Sequence, residues 1–166
     1  MATRSTIGVL NTDGSVTAVY CHWDGYPEHN GKILIDNYTT EEKVRELIGF
    51  GSISSLGAKI GEQHPFSKFE ADRSQHPLVG AAKEARIALA EREGWTTFYG
   101  RDRGETDVAP NTFPNVADFV NEFGEEYNYL FINGTWFVND HGAMELDQPV
   151  FDMLDIVLVQ RESEDA

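Results

Sequence analysis

Ser5-Thr6-Ile7-Gly8-Val9-Leu10, Asn11-Thr12-Asp13-Gly14-Ser15 and Val16-Thr17-Ala18-Val19-Tyr20-Cys21-His22-Trp23 follow one another near the start of the chain. Two β-prone runs around an Asp-Gly turn predict a hairpin. In the second run a period of two places Val19, Cys21 and Trp23 on one face, the better candidate for the core, and Ala18, Tyr20 and His22 on the other. The same signal returns late in the chain. Tyr127 to Ile132 and Thr135 to Asn139 flank Asn133-Gly134, the strongest short hairpin signal.

Helical patterns lie between the two hairpins. Glu28 to Tyr38 predicts a short helix with Pro27 near its start, and Thr39 followed by Glu42 is a capping-box pattern for a second helix to about Ile48. Val44, Leu47 and Ile48 share a face of that helix, and Gly49 and Gly51 end it. Residues 51–76 have no clear period and read as a long connection. An alanine-rich helix is expected over 78–93, stopping at Gly94. Trp95 to Gly100 reads as a strand running into a loop, Arg101-Asp102-Arg103-Gly104-Glu105. Asn115 to Phe123 is an amphipathic helix with Val116, Phe119, Val120 and Phe123 at i, i+3, i+4 and i+7, closed by Gly124. The run Ile156-Val157-Leu158-Val159 reads as a buried strand or sheet edge, and 162–166 as an acidic, frayed tail. The expected architecture is a single α+β domain over 1–161, its mostly antiparallel sheet built from hairpins with helices inserted between them.

Composition narrows the function classes. The single cysteine, Cys21, excludes an internal disulfide and fits a reducing compartment. No apolar run has the length of a membrane span, and the N-terminus lacks the apolar stretch of a signal peptide, so a cytoplasmic protein is expected. The net charge of −15 is unevenly placed. Residues 105–166 hold 14 acidic side chains against one basic residue, Arg161, while residues 1–104 hold 14 acids against 12 bases. Such a C-terminal third repels nucleic acid and anionic membranes and attracts a basic surface.

Three groups of residues carry candidate chemistry. His22 and Asp24, two apart, would project to one side of an extended chain with His29 approaching from the next helix, a three-ligand or acid/base arrangement. The spacing matches no zinc signature, and the alternative is a turn that His22 and Asp24 organise by hydrogen bonding while Trp23 and Tyr26 pack. Arg101 and Arg103 could form a fork for a carboxylate or phosphate, against the alternative of structural ion pairs. Asp140-His141 beside Gly142 is a weaker acid/base pair, and Cys21, on a buried strand face, a weak nucleophile. Neither a glycine-rich phosphate loop nor a Gly-x-Ser-x-Gly elbow is present. No cofactor and no metal are expected. The third group is a carboxylate row, Asp118, Glu122 and Glu126 at i, i+4 and i+8 with Glu125 adjacent. Like charges at that spacing destabilise a helix. A row tolerated at that cost can imitate a phosphate backbone for a partner whose own affinity rests on Lys and Arg. The alternative is a solvated face.

The opening Met1-Ala2-Thr3-Arg4-Ser5-Thr6-Ile7, the block Tyr20-Cys21-His22-Trp23-Asp24-Gly25-Tyr26 with Gly31-Lys32-Ile33-Leu34, and Gly100-Arg101-Asp102-Arg103-Gly104-Glu105 together resemble an uncharacterised family of small proteins of tailed bacteriophages and related mobile elements. The resemblance spans most of the chain and implies a phage accessory protein made inside the host, with no assigned activity. Charge and resemblance together lead to one expectation: a non-enzymatic protein in the host cytoplasm that binds a basic host protein, such as a defence or nucleic-acid-handling protein, through acidic residues including Asp118, Glu122, Glu125 and Glu126. The alternative is a small enzyme or small-molecule binder using His22, Asp24, His29, Arg101 and Arg103. A virion structural protein is a third reading, disfavoured by the acidity and the lack of a repeat.

Overall fold

A computed structural model describes residues 2–63, 94–140 and 149–165. Both hairpins form. Strands β1 (Ser5–Leu10) and β2 (Val16–Cys21) pair antiparallel from Ser5 opposite Cys21 to Leu10 opposite Val16. Strands β6 (Tyr127–Ile132) and β7 (Thr135–Asp140) pair from Tyr127 opposite Asp140 to Ile132 opposite Thr135. At their turn Asn133 and Gly134 have φ of 47° and 86°, the left-handed pair that a two-residue type I′ turn requires. The hairpins join through β1 and β6, which run parallel with Ser5 opposite Tyr127 and Val9 opposite Phe131.

Short strands extend this centre on both sides. Strand β3 (Ile53–Ser55) lies parallel to the end of β2, and β4 (Thr97–Phe98) pairs with β3. Strand β5 (Asn111–Phe113) pairs with the other end of β2, and β8 (Asp152–Met153) with β7. The resulting order is β4-β3-β2-β1-β6-β7-β8, a mixed and mostly antiparallel α+β sheet, with β5 beside β2 off that path. Strand β3 falls in the segment expected to be a featureless connection. Three residues are too few to show a period, and Ile53 is held instead by the backbone: the His22 and Trp23 amides donate to the Ile53 and Ser54 carbonyls at 3.0 and 3.1 Å.

Both sheet faces are covered, so β1 alternates between two cores. Ile7 and Val9 face the larger one, with Val19, Cys21, Tyr129, Phe131, Trp136 and the helices α1 (Lys32–Asn37) and α2 (Glu41–Gly49). A π-helical turn at Pro27–Gly31 precedes α1. Thr40, one residue beyond the expected Thr39, caps α2 by accepting from the Lys43 amide. Gly8 faces the smaller core of Val16, Ala18, Phe119, Val120 and Leu130. A Cβ on Gly8 would sit 3.0 Å from Val16 Cγ1 and 3.4 Å from Phe119 Cζ, so the residue there must be small. Ala18 is as buried as Val19, and the expected inside and outside of β2 are both interior.

Three further expectations are corrected. Trp23 is 45% exposed, because β2 stops at Cys21 and the chain bends before the indole can follow Cys21 inward. The Arg101 to Arg103 segment is not a loop. It belongs to a short helix, α3 (Tyr99–Arg103), capped by left-handed Gly104. The run Ile156 to Val159 is no strand but part of helix α5 (Leu154–Asp165), which takes in most of the expected 162–166 tail. Leu154 is buried and Val157 and Leu158 pack on the larger core, which is a helical rather than an alternating spacing. The expected helix over 78–93 lies outside the described residues.

Buried polar groups fix the register of the join. Thr6 Oγ1 donates to Asn128 Oδ1 at 2.6 Å across β1 and β6, and Asn128 Nδ2 donates to Asn139 Oδ1 at 3.0 Å across β6 and β7. All three residues are fully buried. A buried amide without partners is costly, so any slip of β6 against β1 strands this chain of groups. Asn128→Ala is expected to lower the unfolding free energy by about 2 kcal/mol in urea titrations, because Thr6 and Asn139 lose their shared partner.

Candidate functional site

The Cys21 to Tyr26 block forms a packed corner. Asp24 takes a left-handed φ of 55°, and this breaks the extended alternation that would have put its carboxylate beside His22. Gly25 follows, its amide donating to the Thr3 carbonyl at 2.7 Å. A Cβ there would stand 2.7 Å from Ser5 Cβ, so the chain passes β1 too closely for any side chain. Asn30, fully buried, closes the corner: its Nδ2 donates to Cys21 Sγ at 3.3 Å and to the Trp23 carbonyl at 3.2 Å, and its amide to the Asp24 carbonyl at 3.3 Å. Tyr129, from β6, donates its hydroxyl to the Gly25 carbonyl at 2.6 Å.

The candidate ligands are consequently dispersed. His22 Nδ1 lies 2.6 Å from the Tyr20 hydroxyl, and its ring meets Trp23 edge-on at 4.7 Å. His29 Nδ1 lies 2.9 Å from Asn30 Oδ1, its ring near Tyr26. Among the described residues no three His, Cys, Asp or Glu side chains gather where they could hold a metal ion. Cys21 is fully buried, and desolvation pushes its thiol up to about 12 against hydrogen bonds that favour the thiolate. Burial likewise raises the Tyr38 and Tyr129 phenols.

Arg101 has a structural role. Its Nε and Nη2 donate to the two carboxylate oxygens of Asp102 at 3.0 and 3.2 Å, and Nη1 and Nη2 to the Gly61 and Thr96 carbonyls at 3.2 and 3.0 Å. The guanidinium also lies over the Phe98 ring at 4.7 Å. Asp102 in turn accepts the Phe98 amide at 2.7 Å. Arg103 is exposed, with its guanidinium over Tyr99. The two blocks lie one strand apart, on either side of β3. His22 lies beside Tyr20, whereas Arg101 covers Phe98, a member of the larger core. His141 lies outside the described residues.

The carboxylates divide between two faces of the sheet. Helix α4 (Val116–Asp118) is capped by Asn115 and continues as a π-helical turn, Phe119–Phe123, which seats Phe119 and Val120 in the smaller core. Gly124 ends it with extended backbone, so Glu125 and Glu126 stand beyond the helix and the single row from Asp118 to Glu126 does not form. Asp118 is half-buried, its amide bonded to Asn115 Oδ1 at 2.7 Å; Glu122 and Glu126 are exposed. Asp152 and Asp155, also exposed, lie at the β8 end of the sheet order, on β8 and the first turn of α5.

Arg161, the one Lys or Arg of residues 105–166, donates its Nε to Glu28 Oε1 at 2.7 Å. That bond holds the guanidinium above its ordinary value. Among the described residues no cation pairs with Glu122, Glu126, Asp152 or Asp155. Two depressions border α5. One, of about 230 Å³, is lined by Ile35, Trp136, Met153 and Asp155; the other, of about 270 Å³, includes Tyr127, Asp140, Asp152 and Arg161. None of His22, Asp24, His29, Arg101 and Arg103 lines either. Among the described residues no helix is long and apolar enough to cross a membrane. Compared with protein-family models, curated proteins and solved structures, the chain matches none.

Arg101→Ala is expected to destabilise the fold by about 3 kcal/mol in denaturant titrations, since it removes the guanidinium that bonds both oxygens of the buried Asp102 carboxylate. Cys21 is expected to resist alkylation in the native protein and to react once urea is added. The folded thiol titrates at about 12 rather than at its ordinary value of 9.0. Its contribution to stability is therefore full below pH 9.0 and lost as pH rises towards 12. Unfolding midpoints measured across that window should fall with pH for the parent and less steeply for Cys21→Ala.

Proposed function

We propose that this chain is a bacteriophage accessory protein acting in the host cytoplasm, where it binds a basic host macromolecule through the acidic surface of its C-terminal third. The observation that carries the reading is the pairing of Arg161 with Glu28. The one strong cation of residues 105–166 is directed to a carboxylate outside that segment, and among the described residues the exposed Glu122, Glu126, Asp152 and Asp155 have no cation paired with them. A field of one sign steers a partner of the other sign and fixes its orientation more than it adds affinity. A defence protein or a nucleic-acid-handling protein, whose own surface is built to meet phosphates, fits that chemistry. The resemblance to small phage proteins supports the setting, and the structural employment of Arg101 and the separation of His22, Asp24 and His29 argue for a binding role over a catalytic one.

Affinity capture from lysate of the host bacterium tests the reading. A basic protein is expected to be retained at about 50 mM salt and released by about 500 mM, as the Debye length shrinks from above 10 Å to a few ångströms. Retention of neutral or acidic proteins only, indifferent to salt, would contradict it.

A further inference from the structure

Six large hydrophobic side chains among the described residues are exposed, and four of them fall within ten residues: Val150 at 43%, Met153 at 40%, Ile156 at 49% and Val159 at 63%. Isolated exposed apolar residues are ordinary, but a run spaced by three is not isolated. On α5 the buried side is set by Leu154, Val157 and Leu158, so Ile156 and Val159, three apart, share the outward side. Asp155 and Glu162, both exposed, sit one residue before Ile156 and three after Val159, and Asp152 precedes them on β8. The helix thus presents an apolar strip with acidic margins. At its N-terminal end, Met153 and Asp155 form part of the depression that Ile35 and Trp136 also line. At about 230 Å³ this depression is smaller than the roughly 300–1,000 Å³ of a small-molecule site and suits a single apolar side chain.

We infer that this outward face of α5, with the Ile35–Trp136–Met153 depression, is the docking surface for a basic amphipathic helix of the partner protein. The inference rests on the acidic-surface reading above and locates its contact. Charge complementarity selects the occupant. An anionic membrane would be repelled by Asp152, Asp155 and Glu162, and a second copy would bring the same carboxylates and a further net charge of −15 against them. A helix with Leu or Met at i, i+3, i+4 and i+7 and Lys or Arg beside them would cover Ile156 and Val159, seat one side chain in the depression and bring its cations to the acidic margins. The carboxylate of Glu122, on the turn that covers the smaller core, lies over the other face of the sheet and takes no part in this contact.

Fluorescence anisotropy with a labelled Leu/Lys amphipathic peptide of about 18 residues tests the inference on the full chain. A Gln/Lys peptide of equal charge serves as comparison. The parent is expected to bind the Leu/Lys peptide about tenfold or more tightly than the Gln/Lys peptide, a difference that apolar contact supplies and charge does not. Ile156→Ser with Val159→Ser should remove that difference while leaving the melting temperature unchanged, both positions being outward. Asp152→Asn with Glu162→Gln should weaken binding of both peptides, and Glu122→Gln should change it by less than about twofold. Equal binding of the two peptides by the parent would overturn the docking surface and leave the acidic-surface reading standing; binding of neither at low salt would remove both. A dimer in sedimentation that Ile156→Ser with Val159→Ser dissolves would overturn the inference by placing a second copy on the strip.

Discussion

The parallel pairing of β1 with β6 is the contact on which the remaining structure depends. It joins hairpins far apart in the chain, and the Thr6 to Asn128 hydrogen bond spans 122 positions. Loop-closure entropy makes such a contact expensive, and parallel strands cannot form it through a local turn. What offsets the cost is burial on both faces. Ile7 and Val9 enter one core with Tyr129 and Phe131, Gly8 enters the other with Leu130 and Phe119, and the buried Asn128 ties β1, β6 and β7 in one register.

From that join the two ends of the molecule acquire different characters. On the β2 side the chain turns a tight corner through Asp24, Gly25 and Asn30, and the two imidazoles of the corner are engaged locally, His22 with Tyr20 and His29 with Asn30. Arg101 and Asp102 do the same for the β3–β4 edge. On the β7 side the last strand is only two residues long, and α5 folds back with one flank on the core and the other open to solvent. At the β8–α5 end the side chains of Met153, Ile156 and Val159 remain open to solvent.

Much of this architecture is legible in the sequence, and the limits have physical causes. Asp13-Gly14 and Asn133-Gly134 announce both hairpins because left-handed turn residues leave few alternatives, and Val44, Leu47 and Ile48 announce α2 by their spacing. The parallel join has no local signature. Strand β3 is invisible because a three-residue strand has no period, and α5 is disguised because Ile156 to Val159 is apolar on both its buried and its exposed side, which hides helical amphipathicity. The candidate sites come apart where backbone conformation intervenes. Left-handed Asp24 takes its carboxylate off the extended line of His22, and extended Gly124 breaks the row from Asp118 to Glu126. Asn30, which organises the corner, stands in no pattern that a sequence alone could flag.

That the open flank of α5, rather than the acids around α4, meets the basic partner is the central claim. Hydrogen–deuterium exchange on the full chain, with and without the Leu/Lys peptide, reads this directly, because a docked helix slows exchange in the backbone that it covers. Added protection is expected across 150–162 and none across 116–126. Protection confined to 116–126, or spread evenly over both segments, would contradict it.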